Sequence, residues 1–148
     1  MNSVSNAQNY TFAKFDLTQW PLVIVKCDEL KSNDDFDFFL QRMENLGNAK
    51  QNYSVVLDAR NASNIGMSNV YSAVRFIKRI KDMYPQYLQN TILIYNNSHL
   101  YYLLNIVLTF QKPICKFYTY KAKHYNEINY KELFALKDSV PAKIKLYN

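Results

Sequence analysis

Along this chain the hydrophobic positions switch between two periods. The stretch "YTFAKFDLTQW" alternates loosely and predicts an edge strand, and Pro21 then opens "PLVIVKCDE", a continuous β-branched run of the kind buried on both faces of a central strand. From residue 32 the period becomes helical. Ser32 or Asn33 is placed to cap a helix with Asp34 and Asp35 in its first turn, where the dipole favours anions. Phe36, Phe39, Leu40, Met43 and Leu46 form its apolar stripe, and Gly47 is expected to end it in the left-handed conformation. "NYSVVLDAR" is the next buried strand. Ser68 is expected to cap a helix from about Asn69 to Met83, with Val70, Ala73, Val74, Ile77, Ile80 and Tyr84 inward, Arg75, Lys78 and Arg79 outward, and Pro85 closing it. "NTILIYNN" predicts a third central strand. Ser98 is expected to cap a helix that carries no Lys, Arg, Asp or Glu and runs to about Gln111, where Pro113 breaks the pattern. "ICKFYTY" is the last strand expected, and "YNEINYKELFAL" predicts a short helix before a basic terminus.

Strands alternating with helices through short links imply an α/β fold: a single-layer mixed, mostly parallel sheet of about five strands with helices packed on it. A length of 148 residues fits one domain, 1–148, with residues 1–9 as a flexible start. Hydrophobic residues make up 49% and aromatic residues 16%, which excludes a disordered chain. The net charge of +6 is uneven: residues 112–148 hold eight lysines against Glu127, Glu132 and Asp138, a net +5. Such a surface suits phosphates, anionic headgroups or an acidic protein, and it favours encounter more than it specifies a target. The opening "MNSVSNAQNY" has no charged segment followed by an apolar one, so a cytoplasmic protein is expected.

The helix after Ser98 is the least ordinary element. Leu100, Leu103, Leu104, Val107, Leu108 and Phe110 leave it with almost no polar face, and at about 14 residues and roughly 1.5 Å each it spans near 21 Å, short of a bilayer core of about 30 Å. It is expected to be a cover element, one stripe on the sheet and the other over a pocket or a partner subunit, with Tyr95 at the end of the preceding strand joining the ligand-binding set. A plain core helix is the alternative.

Candidate chemistry is sparse. His99 and His124 are the two histidines and share no metal-ligand spacing with Cys27 or Cys115, so no metal is expected. With two glycines the chain has neither a GxGxxG nor a GxxxxGK[ST] loop, which excludes a phosphate-cradling loop of either type and argues against nucleotide hydrolysis, and no cofactor is expected. Asp58, at the carboxyl end of a strand, is where α/β proteins put ligands and catalysts. Its plainer reading is a loop cap beside Arg60. Cys115 reads as a buried thiol before it reads as a nucleophile. The interleaved Lys and Tyr of "CKFYTYKAKHYNEINYK" are explained by solvated faces, without nucleic acid.

The stretch "VVLDARNAS", a helix ending "KRIKDMYPQYL", "NTILIYNN", an apolar helix and "FQKPICKFYTY" resemble the CRAL-TRIO lipid-binding domain over roughly residues 20–144, especially its divergent branch in some Rho GTPase-activating proteins and neurofibromin. The matching positions are Asp58, Tyr84, Pro85, Leu88, Asn96 and Lys116. The resemblance implies a non-enzymatic module that recognises a lipid, a hydrophobic small molecule or a protein partner. Its apolar helix would be a gate. Separately, Arg75, Lys78 and Arg79 share a helix face and can converge on one anionic group, so with Lys116 they are the candidates for an anion, a headgroup or a partner at a peripheral membrane, an ordinary solvated face being the plainer reading. The element order is also similar to STAS domains, compatible with a homodimer. That likeness would make Ser68 a phosphorylation site, although the STAS Asp-Ser-x-Gly is missing, with Met67 and Asn69 flanking Ser68. A small cofactorless enzyme using Asp58 or Cys115 is the third class of function.

Overall fold

The computed structural model describes residues 10–83, 86–139 and 144–147. Six strands form one sheet: β1 (Ala13–Asp16), β2 (Leu22–Cys27), β3 (Tyr53–Asp58), β4 (Leu88–Tyr95), β5 (Lys116–Lys121) and β6 (Ile144–Tyr147). They lie side by side in chain order, β2 to β5 parallel, with β1 antiparallel to β2 at one edge and β6 antiparallel to β5 at the other. The mixed, mostly parallel α/β sheet is as the periodicity requires. β6 was not expected. Its "IKLY" was read as basic tail, because four residues with one lysine are too few to show an alternation above the surrounding charge.

The consecutive order decides where the helices go. Each crossover between neighbouring parallel strands is right-handed as a rule, so adding every new strand at the same edge puts every crossover helix on the same face. Accordingly α1 (Asn33–Asn45), α2 (Met67–Lys81) and α3 (Ser98–Phe110) pack on the face formed by Val23, Val25, Cys27, Tyr53, Val55 and Leu93. The opposite face, with Leu22, Ile24, Val56, Ile92, Ile94 and Tyr118, is covered by the segment after β5, including the one-and-a-half-turn helix α4 (Tyr130–Ala135) through Tyr130, Leu133 and Phe134.

The helix ends correct three expectations. Ser32 does cap α1, accepting from the Asp35 amide at 3.1 Å. Gly47, however, sits inside a short 3-10 turn (Leu46–Ala49), and the left-handed residue is Lys50, with φ of 54°. Gly66, not Ser68, is the N-cap of α2: it has no side chain to accept from the first turn, and the Asn69 side chain instead reaches back to accept from the Gly66 amide at 2.9 Å. Asn97, not Ser98, caps α3, accepting from Leu100 N at 2.8 Å. Tyr84 and Pro85, on which the end of α2 and part of the resemblance rest, lie outside the described residues.

Candidate functional site: an apolar cavity under the helices

The three crossover helices do not close on the sheet. Between them lies a cavity of about 220 Å³ whose wall is almost wholly hydrocarbon: Phe36 and Met43 from α1, Val70 and Ala73 from α2, Leu103 and Leu104 from α3, and the sheet beneath. Small side chains stand where contact would otherwise close the space, with Ala73 facing it from α2 and Ala59 and Ala62 lining it from the loop after β3. Its few polar walls are already engaged. Asn69 donates to Asn33 Oδ1 at 3.2 Å while accepting from Gly66, and the Thr91 hydroxyl lies 3.4 Å from Cys115 Sγ. The Cys27 thiol, which also lines the cavity, is pushed up to about 12 by burial, then by the carboxylates of Asp58 and Asp28, so it presents an uncharged sulfur. A guest therefore meets dispersion and hydrophobic contact and almost no unpaired polar group.

The size is unusual for a domain interior, which is close-packed with few voids larger than a water molecule. An apolar cavity of about 150 Å³ already binds benzene.

Leu100, Leu103, Leu104, Val107 and Leu108, singled out in sequence, all line the cavity. Leu103 and Val107 are also buried against Val70 of α2, so the same stripe holds the helix pair together and walls the space. Tyr95 and Phe110 are not in its wall: Tyr95 stacks on Tyr101 with ring centroids 5.1 Å apart, and Phe110 is 67% exposed on the outer side of α3. The α1 stripe and the inward Ala73 give no sign of a cavity in sequence, since no local signal separates an apolar stripe that touches its neighbour from one that falls short.

The basic set is divided. Arg75 and Lys78 are exposed on the outer side of α2. Arg79 pairs with Glu44 of α1 at 3.0 Å and lies over the Phe76 ring. Lys116 is apart from them: it acts electrostatically on Asp138, in the segment that covers the opposite face, so the sheet separates it from the α2 cations. Ser68 is exposed in the first turn of α2, its hydroxyl donating to Asn33 Oδ1 at 3.1 Å.

Asp58 is enclosed by partners. Arg60 Nε and Nη2 donate to its two oxygens at 2.9 and 2.7 Å, Tyr130 OH donates to Oδ2 at 2.6 Å, and Arg60 Nη1 donates to the carbonyls of Lys123 and Asn126 at 2.9 and 2.6 Å. Burial alone would raise the carboxyl, but the hydrogen bonds from Arg60 and Tyr130 outweigh it and hold it below its usual range. The Tyr130 hydroxyl is pushed up to about 12 by burial and then by Asp58. This triad clamps the loop before α4 onto the sheet. Among the described strands the consecutive order supplies no reversal, and hence no topological switch point, the usual setting of an α/β ligand site.

Burial raises the Cys115 thiol, opposed by its hydrogen bond with Thr91. His99 Nε2 lies 3.3 Å from the Ile65 carbonyl, and the His124 ring packs edge-on against Tyr125. Among the described residues no cluster of His, Cys, Asp or Glu is arranged to hold a metal, and no helix is long and apolar enough to cross a membrane. The chain matches no protein-family model, no curated protein and no solved structure, so its likeness to CRAL-TRIO and STAS domains is carried by the residues quoted above alone.

Proposed function

We propose that the protein is a non-enzymatic binding module for a small hydrophobic molecule, held in the cavity between the sheet and α1, α2 and α3. The observation that carries this reading is a hydrocarbon-walled space of about 220 Å³ whose few polar neighbours are already hydrogen-bonded. The closed hydrogen bonding of Asp58 and the raised thiols of Cys27 and Cys115 favour binding over catalysis. The test is titration of the isotope-labelled chain with benzene, followed by NMR. Shifts should concentrate on Ala73, Leu103, Leu104 and Val107; saturating benzene that leaves these resonances unmoved would sink the proposal. Native mass spectrometry after gentle extraction then reports any molecule the protein retains.

The exposed Arg75 and Lys78, together with the lysines of the terminal segment, support an added role in meeting an anionic membrane or an acidic protein. Binding to anionic vesicles should weaken with salt and with Arg75→Glu plus Lys78→Glu, and binding indifferent to both would refute that role. The exposed hydroxyl of Ser68 keeps a STAS-like regulatory reading as the second choice, since a phosphate in the first turn of a helix meets its favourable dipole end.

A further inference from the structure

The apolar cavity is not the only space under the helices. Met43, Phe76, Leu88 and Ile114 line it on one side and on the other line a second cavity of about 250 Å³, so a single layer of side chains separates the two. Met43 is unbranched and adaptable, and Ile114 belongs to the loop between α3 and β5, so two of the four partition members need no helix or strand to move. The second cavity lies at the amino ends of β3 and β4, where α1 and α2 finish, and its wall is mixed: Glu44, Asn48, Lys50 and Gln86 beside Tyr53 and Ile80. Neither space alone reaches the range of about 300–1,000 Å³ usual for a small-molecule pocket. Joined, they do.

We propose that the two cavities together hold one single-chain amphiphile, its apolar chain under α2 and α3 and a neutral, hydroxyl-bearing head in the second cavity; the inference rests on the hydrophobic-ligand reading above. Size excludes a two-chain lipid, for which the apolar space is too small. Charge selects the head. Glu44 is neutralised by Arg79, which leaves Lys50 as a cation that takes part in none of the ion pairs among the described residues. Against it stand the carboxyl-terminal ends of α1 and α2, each equivalent to about half a negative charge. These roughly cancel, so neither a carboxylate nor an ammonium head is favoured. The helix ends offer carbonyl oxygens, and Gln86 already donates to those of Ile80 and Met83, so donors suit this wall. A hydroxyl can donate to a carbonyl there and accept from Lys50 or Asn48.

The experiment compares 1-octanol, octanoate and octylammonium by calorimetry on the full chain, with benzene as a probe of the apolar cavity alone. Octanol should bind at least tenfold more tightly than either charged analogue. Gly47 lines the second cavity, has no positive φ and would place a Cβ in open space, so Gly47→Trp introduces bulk there without backbone strain. That variant should weaken octanol at least tenfold and leave benzene unchanged, and Lys50→Glu should move the preference toward octylammonium. Benzene binding with octanol no better than its charged analogues, or with octanol indifferent to both variants, overturns this inference and spares the hydrophobic-ligand reading. Failure of benzene itself overturns both.

Discussion

Ala73 faces the cavity from the middle of α2, and Ala73→Leu adds three carbons there without disturbing a hydrogen bond. If the space is real, those carbons bury at about 0.8 kcal/mol each, roughly 2.4 kcal/mol in all. Restricting the leucine rotamers costs about 0.5–1 kcal/mol, so the net stabilisation is roughly 1.5–2 kcal/mol. Leucine costs little as a helix former, so propensity does not decide the sign. For a chain of this size 1 kcal/mol moves the midpoint by about 2–4 °C, and a rise of some 3–8 °C is expected. Were the site close-packed, the same change would overpack it and destabilise by about 1–3 kcal/mol. The two cases therefore differ in sign. Val56→Leu is the control, because Val56 is 0% exposed on the opposite face of the sheet and lines neither of the two cavities under the helices. Urea and thermal unfolding of both variants, with benzene titration of Ala73→Leu, make the assay. A stabilised Ala73→Leu that binds benzene at least tenfold more weakly, beside a destabilised Val56→Leu, fits the cavity. If both lose stability to the same extent, the space does not exist in solution and the functional reading falls with it.

Three further outcomes follow from the packing. Because the folded pKa of Asp58 lies below its unfolded value, its stabilisation is complete above that unfolded value and is lost as pH falls through the folded one. Tyr130 is raised to about 12, so its contribution is present below about 10 and lost as pH rises through about 12; Asp58→Asn should cost about 3–5 kcal/mol at neutral pH and flatten the acid limb of the unfolding profile, and an unchanged acid limb would refute the clamp. Leu103→Ser with Val107→Ser removes residues buried against α2 and should unfold the domain, whereas Leu104→Ser with Leu108→Ser, less buried on the same helix, should leave a folded chain that no longer binds benzene; circular dichroism showing both pairs unfolded would make α3 a plain core helix. Cys27, whose thiol is pushed up to about 12, should react with an aromatic disulfide at neutral pH only as fast as the domain opens, and labelling within seconds in native buffer would contradict its burial.

The alternation of two periods is a local property, and local properties were legible. Val23, Val25, Val55 and Val56 are flanked by β-branched or apolar neighbours and must be buried on both sides, and Phe36, Phe39, Leu40 and Met43 recur at helical spacing, so the α/β class and the stripes that face the sheet follow from the sequence alone. The apolar α3 could also be recognised as walling something, because leucines on nearly every side leave it no fully wet face. Nothing local, however, says that the strands stand in consecutive order, and that order alone puts three helices on one face and the Asp58 clamp on the other. Asp58 at a strand end looks the same in a catalytic crevice and in a closed ion pair until Tyr130, 72 residues away, is brought against it. The cavity is a still less local quantity. It is the difference between the separation of the helices from the sheet and the summed reach of side chains drawn from every part of the fold, and Ala59, Ala62 and Ala73 leave it open only because their distant neighbours do not extend far enough to fill it.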